Sequence, residues 1–207
     1  WSRLRREAER HVADEPTLAA FFTANVLRFH SFDHAVSEHL GEALGEPTYR
    51  AKHMQALIAD SFNRSLALCT EVAEDFEATM EVRRLPGWSI MLQDDGFRGL
   101  VSHRIAAWLA HTERPVLAAY VAGRASHVFQ VRVELGATLA GGIVVSPGVS
   151  MSGDSVVGQG GVLGTGAVVK GAVIGRDARV LPNSVVTSTV PTGAVVAGVP
   201  ARRIDDP

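Results

Sequence analysis

The groups in this 207-residue chain that could move a proton, hold a metal or attack an electrophile are eight histidines, one cysteine and a scatter of carboxylates. All the histidines lie at or before His127, so the chain from Val131 onward has no side chain that ordinarily titrates near neutral pH. The densest group is His30, Asp33, His34 and His39. Residues four apart on a helix share a face, which would let His30 and His34 reach one ion with Asp33 alongside. No His-Glu-x-x-His pattern or cysteine pair accompanies them, and the expectation is solvent-exposed histidines and no bound metal. Cys69, in the apolar run Leu66-Ala-Leu-Cys, reads as a core residue rather than a nucleophile.

The second half of the chain is organised by a count of six. Val133, Leu139, Val145, Met151, Val157, Leu163 and Val169 recur at that interval, and after a one-residue slip Val168, Ile174, Val180 and Val186 resume it. An apolar residue followed by a small residue and a turn is one face of a triangular coil. Three hexads make one turn of a left-handed parallel β-helix. The abundant Val and Gly fit short strands alternating with tight turns. The first half is different. It holds every aromatic except Phe129, has little Gly, and spaces apolar residues as a helix does, as in Leu18, Phe21, Phe22, Val26 and Phe29. Helices are expected to open near Glu15-Pro16, to end near Gly41 or Gly45-Glu46-Pro47, and to cover Ala51–Val82, Phe97–Ala110 and Val116–Val128.

The reading is therefore an α+β chain: an α-helical oligomerisation domain over 1–128, a left-handed β-helix over 129–199, and a C-terminal tail over 200–207. A hydrophobic content of 46% with 20% charged residues is that of an ordinary globular protein, and no apolar run approaches the ~18 residues of a membrane span. A charged N-terminus without a signal-like core, and a lone cysteine, point to the cytoplasm. A net charge of −2 without a basic run argues against nucleic acid as a partner.

Three segments narrow this further. The N-terminal EAERHVADEPTLAAFFTANVL, the run GFRGLVSHRIAAWL followed by FQVRV, and the closing VVAGVPARRI, in that order, resemble the serine O-acetyltransferase family of hexapeptide-repeat acyltransferases. The resemblance implies an acetyl-CoA-dependent O-acyltransferase of cysteine biosynthesis. It also implies an Asp-His pair on the β-helix as the base that makes the serine hydroxyl nucleophilic. Here Ser146 and Pro147 stand in that place. Proline has nothing to titrate, and a serine hydroxyl is no stronger a base than the substrate. The family's substrate-binding Asp-Pro-Ala segment should lie between Val82 and Gly96, where this chain reads RRLPGWSIMLQDD, so that Asp94 or Asp95 could compensate only by chance. The loop that holds the substrate carboxylate is cut to Gly153-Asp154-Ser155.

By the same resemblance, the small-residue run Gly164, Thr165, Gly166 and Ala167 lines the pantetheine arm of CoA, and Arg179 and Arg202 stand where CoA phosphates could be met. His103, His127 and Asp154 are the weak candidates for a relocated catalytic group. A short β-helix has flat, uncovered sides, so a homotrimer is expected, and the resemblance extends this to a hexamer built as a dimer of trimers. Docking of the family's isoleucine-ended tail into a pathway partner is not matched by Asp205-Asp206-Pro207. Two functional readings follow: an O-acyltransferase impaired at its usual site, or a non-catalytic homologue that serves as an oligomeric scaffold or regulator of an active paralogue.

Overall fold

The computed structural model describes residues 1–204. The chain enters through α1 (Ser2–Asp14), turns at Pro16 through a short 3₁₀ segment into α2 (Ala19–Phe22), and widens into a π-helical turn over Thr23–Leu27. Then follow α3 (Phe32–Leu44), α4 (Ala51–Arg64), α5 (Leu66–Arg83), α6 (Gly87–Gln93), α7 (Asp95–His111) and α8 (Pro115–Phe129). The single helix expected over Ala51–Val82 is two. Ser65 breaks it with extended backbone and caps the second piece, its hydroxyl accepting from the Leu68 N–H at 3.2 Å. The start of α3 also undoes the paired-histidine reading. Ser31 is its N-cap, so His30 lies before the helix and does not share a helical face with His34. His39 instead bonds the Asn25 carbonyl, and among the described residues no group of three metal-ligating side chains comes together.

From Arg132 the chain winds into a parallel β-helix. Strands β1 (Arg132–Val133), β4 (Ser150–Met151), β7 (Val168–Val169) and β10 (Val185–Val186) form one face. A second face has β2 (Thr138–Leu139), β5 (Val156–Val157) and β8 (Val173–Ile174), extended by a bridge from Ile174 to Val190. The third has β3 (Val144–Val145), β6 (Val162–Leu163), β9 (Arg179–Val180) and β11 (Val195–Ala197), closed by the antiparallel β12 (Arg202–Arg203). Each face stacks residues of successive coils in register, as Val133 on Met151, Met151 on Val169 and Val169 on Val186. The inward residue after Leu163 is Val169, fully buried, while Val168 faces outward. The slip in the count is a shortened corner at Lys170-Gly171, not a change of the inward position.

The two halves meet on α7. Its Leu100 is fully buried in the core of the β-helix with Val131, Val145 and Met151, while its Phe97, Val101 and Ile105 belong to the helical core. Close approach explains two glycines. A Cβ on Gly96 would lie 2.0 Å from the Val145 carbonyl oxygen, and one on Gly99 would lie 2.6 Å from the Val131 Cβ. The same junction holds a buried ion pair. Arg104 on α7 grips Asp75 on α5 through both Nε and Nη2, and it also donates to the Ala140 carbonyl at 2.6 Å and to Glu71 at 2.9 Å. The Ile143 N–H donates back to Asp75 at 3.0 Å. Burial pushes the Asp75 carboxyl up, and the arginine fork and the Ile143 N–H work against that push.

Breaking a buried pair from one side leaves the other charge unmatched, at about 3–5 kcal/mol. Asp75→Ala is therefore expected to lower denaturant stability by that order, and Asp75→Ala with Arg104→Met by clearly less. Urea unfolding of both variants checks this, and an equal loss in the two would contradict it.

Candidate functional site

The corner that follows β3 is where sequence reasoning places the missing base. Ser146 is buried there and its hydroxyl accepts a hydrogen bond from Arg83 Nη2 at 2.9 Å. Arg83 in turn pairs with Asp94, Nε to Oδ2 at 3.1 Å, and Asp94 caps α7 by accepting the Phe97 N–H at 2.8 Å. Arg83, Asp94 and Ser146 thus form a chain from the end of α5 to the first coil. Sequence reasoning missed this link. The signal was present in Asp94 standing just before a helix start, a capping position that occupies its carboxylate structurally. Arg83 thus pairs with the Asp94 carboxylate while it donates to Ser146. The corner itself carries a donor and a proline, but no free base.

The next coil lies directly beneath. The Gly166 N–H donates to the Pro147 carbonyl at 3.1 Å, and the Asn183 N–H donates to the Thr165 carbonyl at 2.8 Å, so the three corners stack. Gly148 and Gly166 both have positive φ, +81° and +69°, and a Cβ on Gly148 would lie 3.2 Å from Gly166. Positive φ favours glycine at these two positions, and Asn183 takes the same conformation, +57°, at the next corner. Of the candidate CoA residues, Thr165 is exposed, Gly164 and Gly166 are half-buried and Ala167 is buried. Arg179 projects outward from β9 onto a cleft that it shares with Arg84, Asp177 and Glu81. Arg202 is exposed on β12, in register with Ala197 on the strand next to β9. The small-residue corner and both arginines therefore belong to the same three-sided face and its edge.

The three weak catalytic candidates are not brought together. His103 is 5% exposed on α7, and burial with the neighbouring Arg104 charge drives its pKa down to about 4. It is hydrogen-bonded to the Val133 backbone, and its Nδ1 is buried without a partner. It lines a cavity of about 330 Å³ with Arg104, Glu71 and Trp108. Asp154 is exposed at the corner after β4, on a different edge of the prism from Ser146. It is held by the Ser152 hydroxyl at 2.6 Å, a bond that lowers its pKa. His127 is exposed in the last turn of α8 and lines a cleft of about 650 Å³ with Arg132 and Glu134.

A helical domain feeding a four-coil parallel β-helix is the fold that this chain shares with serine acetyltransferases of known structure. Comparison with known proteins finds similarity to serine acetyltransferases. The family profile described as "Serine acetyltransferase, N-terminal" matches residues 1–84. The serine acetyltransferase of Haemophilus influenzae is 28% identical over 237 aligned positions, covering 99% of this chain and 88% of the relative. That alignment is longer than the chain itself, so the relative carries internal segments absent here. Among solved structures, soybean serine acetyltransferase complexed with serine superposes with a TM-score of 0.84 at 26% identity, over 99% of this chain and 97% of its own. The Brucella abortus enzyme in complex with coenzyme A does so with a TM-score of 0.82 at 27%, over 99% and 94%. Similarity of sequence and of fold thus extends over the full length. Among the described residues, no helix is long and apolar enough to cross a membrane.

The pKa of His103 carries a pH signature. An ordinary imidazole accepts a proton near pH 6.5, and this one resists until about 4, so the unfolded chain binds more protons between those values. Stability contributed at neutral pH is lost as pH falls through that window, by an amount on the order of 3 kcal/mol. His103→Gln is expected to flatten the pH 4–6.5 limb of the stability curve, as read by urea unfolding at several pH values. An unchanged slope would contradict the assignment.

Proposed function

We propose that this chain is a member of the serine acetyltransferase family, an acetyl-CoA-dependent O-acyltransferase by descent, whose turnover with serine at the family's usual corner is impaired. The observation that carries this reading is the corner itself. Ser146 and Pro147 stand one coil above Gly164–Ala167, and the Ser146 hydroxyl accepts a hydrogen bond from the Arg83 guanidinium. Acetyl-CoA binding is supported by the stacked glycine corners, by Arg179 and Arg202 on the adjoining face, and by the coenzyme A complexes among the structural neighbours. Serine as acceptor is supported by the full-length similarity to serine acetyltransferases, and the cytoplasm is the expected location.

The same corner sets the size of the defect. Acyl transfer needs the hydroxyl proton removed as the oxygen attacks the thioester carbonyl, and a positioned general base contributes about 10²–10⁴-fold. With that base absent, binding and orientation remain while the proton transfer is slow. Assembly as a homotrimer, paired into a hexamer through the helical domain, would cover the flat strand faces. The scaffold reading is favoured by one further observation: Asp94 is tied up by Arg83 and the α7 cap. A protein of this kind can assemble with an active paralogue or pathway partner and modulate it without turning over serine itself.

Two measurements test this. Titration calorimetry should detect CoA binding, and loss of that binding in wild type would remove the acyltransferase reading. Reinstating the pair as Ser146→Asp with Pro147→His should raise serine-dependent thiol release from acetyl-CoA at least tenfold, about the lower part of a general-base contribution. A wild type already as fast as an active family member would contradict the impairment.

A further inference from the structure

In the cavity beside the buried Arg104–Asp75 pair the charged donor is spent and the acceptors are not. The cavity, of about 330 Å³, lies between the start of α5, the C-terminal half of α7 and β2, on a different face of the prism from the Ser146 corner after β3. Arg104 lines it, but all five guanidinium N–H groups are committed. Nε and Nη2 hold Asp75, Nη2 also meets the Ala140 carbonyl, and Nη1 meets Glu71 at 2.9 Å and the Leu139 carbonyl at 3.4 Å. At the start of α5 the Ser65 hydroxyl already takes the Leu68 N–H. An anion entering here finds a guanidinium with nothing left to donate.

The acceptors are a different matter. Glu71 meets Arg104 through Oε2, which leaves Oε1 free at a side chain that is 43% exposed. His111 donates through Nδ1 to the Ala107 carbonyl at 2.7 Å, so its Nε2 is an acceptor in the neutral ring. His103, 5% exposed, supplies an independent observation. Its bond to the Val133 backbone favours the protonated ring, so the imidazole is the donor there, and Nδ1 is left buried without a partner. An unfilled buried acceptor is costly unless something donates to it. The local charge points the same way: Asp75 matches Arg104, and Glu71 remains as an excess negative charge.

We infer that the α5–α7–β2 cavity is an accessory binding site for a small primary ammonium compound. Glu71, at the half-open mouth, pairs with the ammonium through a charge-assisted hydrogen bond. A further N–H turns inward to the His103 side, where the acceptor is unfilled. The short alkyl part lies against Leu139 and Ala107, which also line the cavity. The volume is at the small end for ligand pockets, which favours a short chain. Such a ligand braces α5 against α7 beside the Asp75–Arg104 pair, so that binding stabilises the junction of the two halves. The inference stands apart from the acyl-transfer reading, since it uses none of the residues of the Ser146 corner.

The test uses the full-length protein and three probes of one size, n-propylammonium, propanol and propionate, followed at constant ionic strength by saturation-transfer NMR and calorimetry. n-Propylammonium should bind saturably and at least tenfold more tightly than either of the others. Glu71→Gln, which leaves the Asp75–Arg104 pair in place, should weaken that binding about tenfold. Ala107→Leu should abolish it by filling the cavity with a residue that suits a helix and carries no charge. Propanol or propionate binding as tightly, n-propylammonium binding unchanged in either variant, or no saturable binding to wild type would each overturn the inference. If melting curves show that a variant does not fold, the ranking of the three probes on wild type decides the matter alone.

Discussion

Arg104 and Asp75 are charged side chains placed where water is excluded, at the point where α5, α7 and the first coil meet. Isolated, either would be costly to bury. Together, with the Ile143 N–H, the Ala140 carbonyl and Glu71 satisfying what remains, they convert a domain junction into a fixed joint. Gly96 and Gly99 let α7 close onto Val145 and Val131, and that contact carries Asp94 and Arg83 to within reach of Ser146. A slide of α7 by one residue would place side chains against the Val145 carbonyl and detach the corner from the helical domain.

The joint also fixes the surroundings of the corner after β3. Arg83 is held over Ser146 by Asp94, and Asp94 is held by the start of α7, so the corner receives a hydrogen bond from a guanidinium. On the far side of the first strand the arrangement reverses. His127, Arg132 and Glu134 face an open cleft and are not drawn into a buried network. His103, by contrast, is bound up in the joint. Its low pKa follows from burial next to the Arg104 charge, and a base that protonates only near pH 4 is poorly matched to chemistry at neutral pH.

Much of this was legible in the chain. The six-residue count depends on one physical fact, that each coil buries one apolar residue per face, and so Val133 through Leu163 could be assigned inward by spacing alone. The count failed where a corner shortened, at Lys170-Gly171, because spacing does not report turn length. Ser65 was overlooked as a helix break for a related reason: a serine inside an apolar-periodic stretch looks like a surface position until its hydroxyl caps Leu68. The stacking of the Ser146 and Gly166 corners followed from the repeat. The Arg83–Asp94 link and the Asp75–Arg104 pair did not, since both join residues of elements whose relative placement no local pattern fixes.

The central claim is that the donor groove survives while its usual corner has lost the base. A crystal structure of the protein with coenzyme A and serine tests it most directly. The pantetheine arm is expected against Gly164–Ala167, with the sulfur directed toward the Gly148 corner and Ser146 still bonded to Arg83. Coenzyme A bound elsewhere, or a histidine or carboxylate within hydrogen-bond distance of the serine hydroxyl, would contradict it.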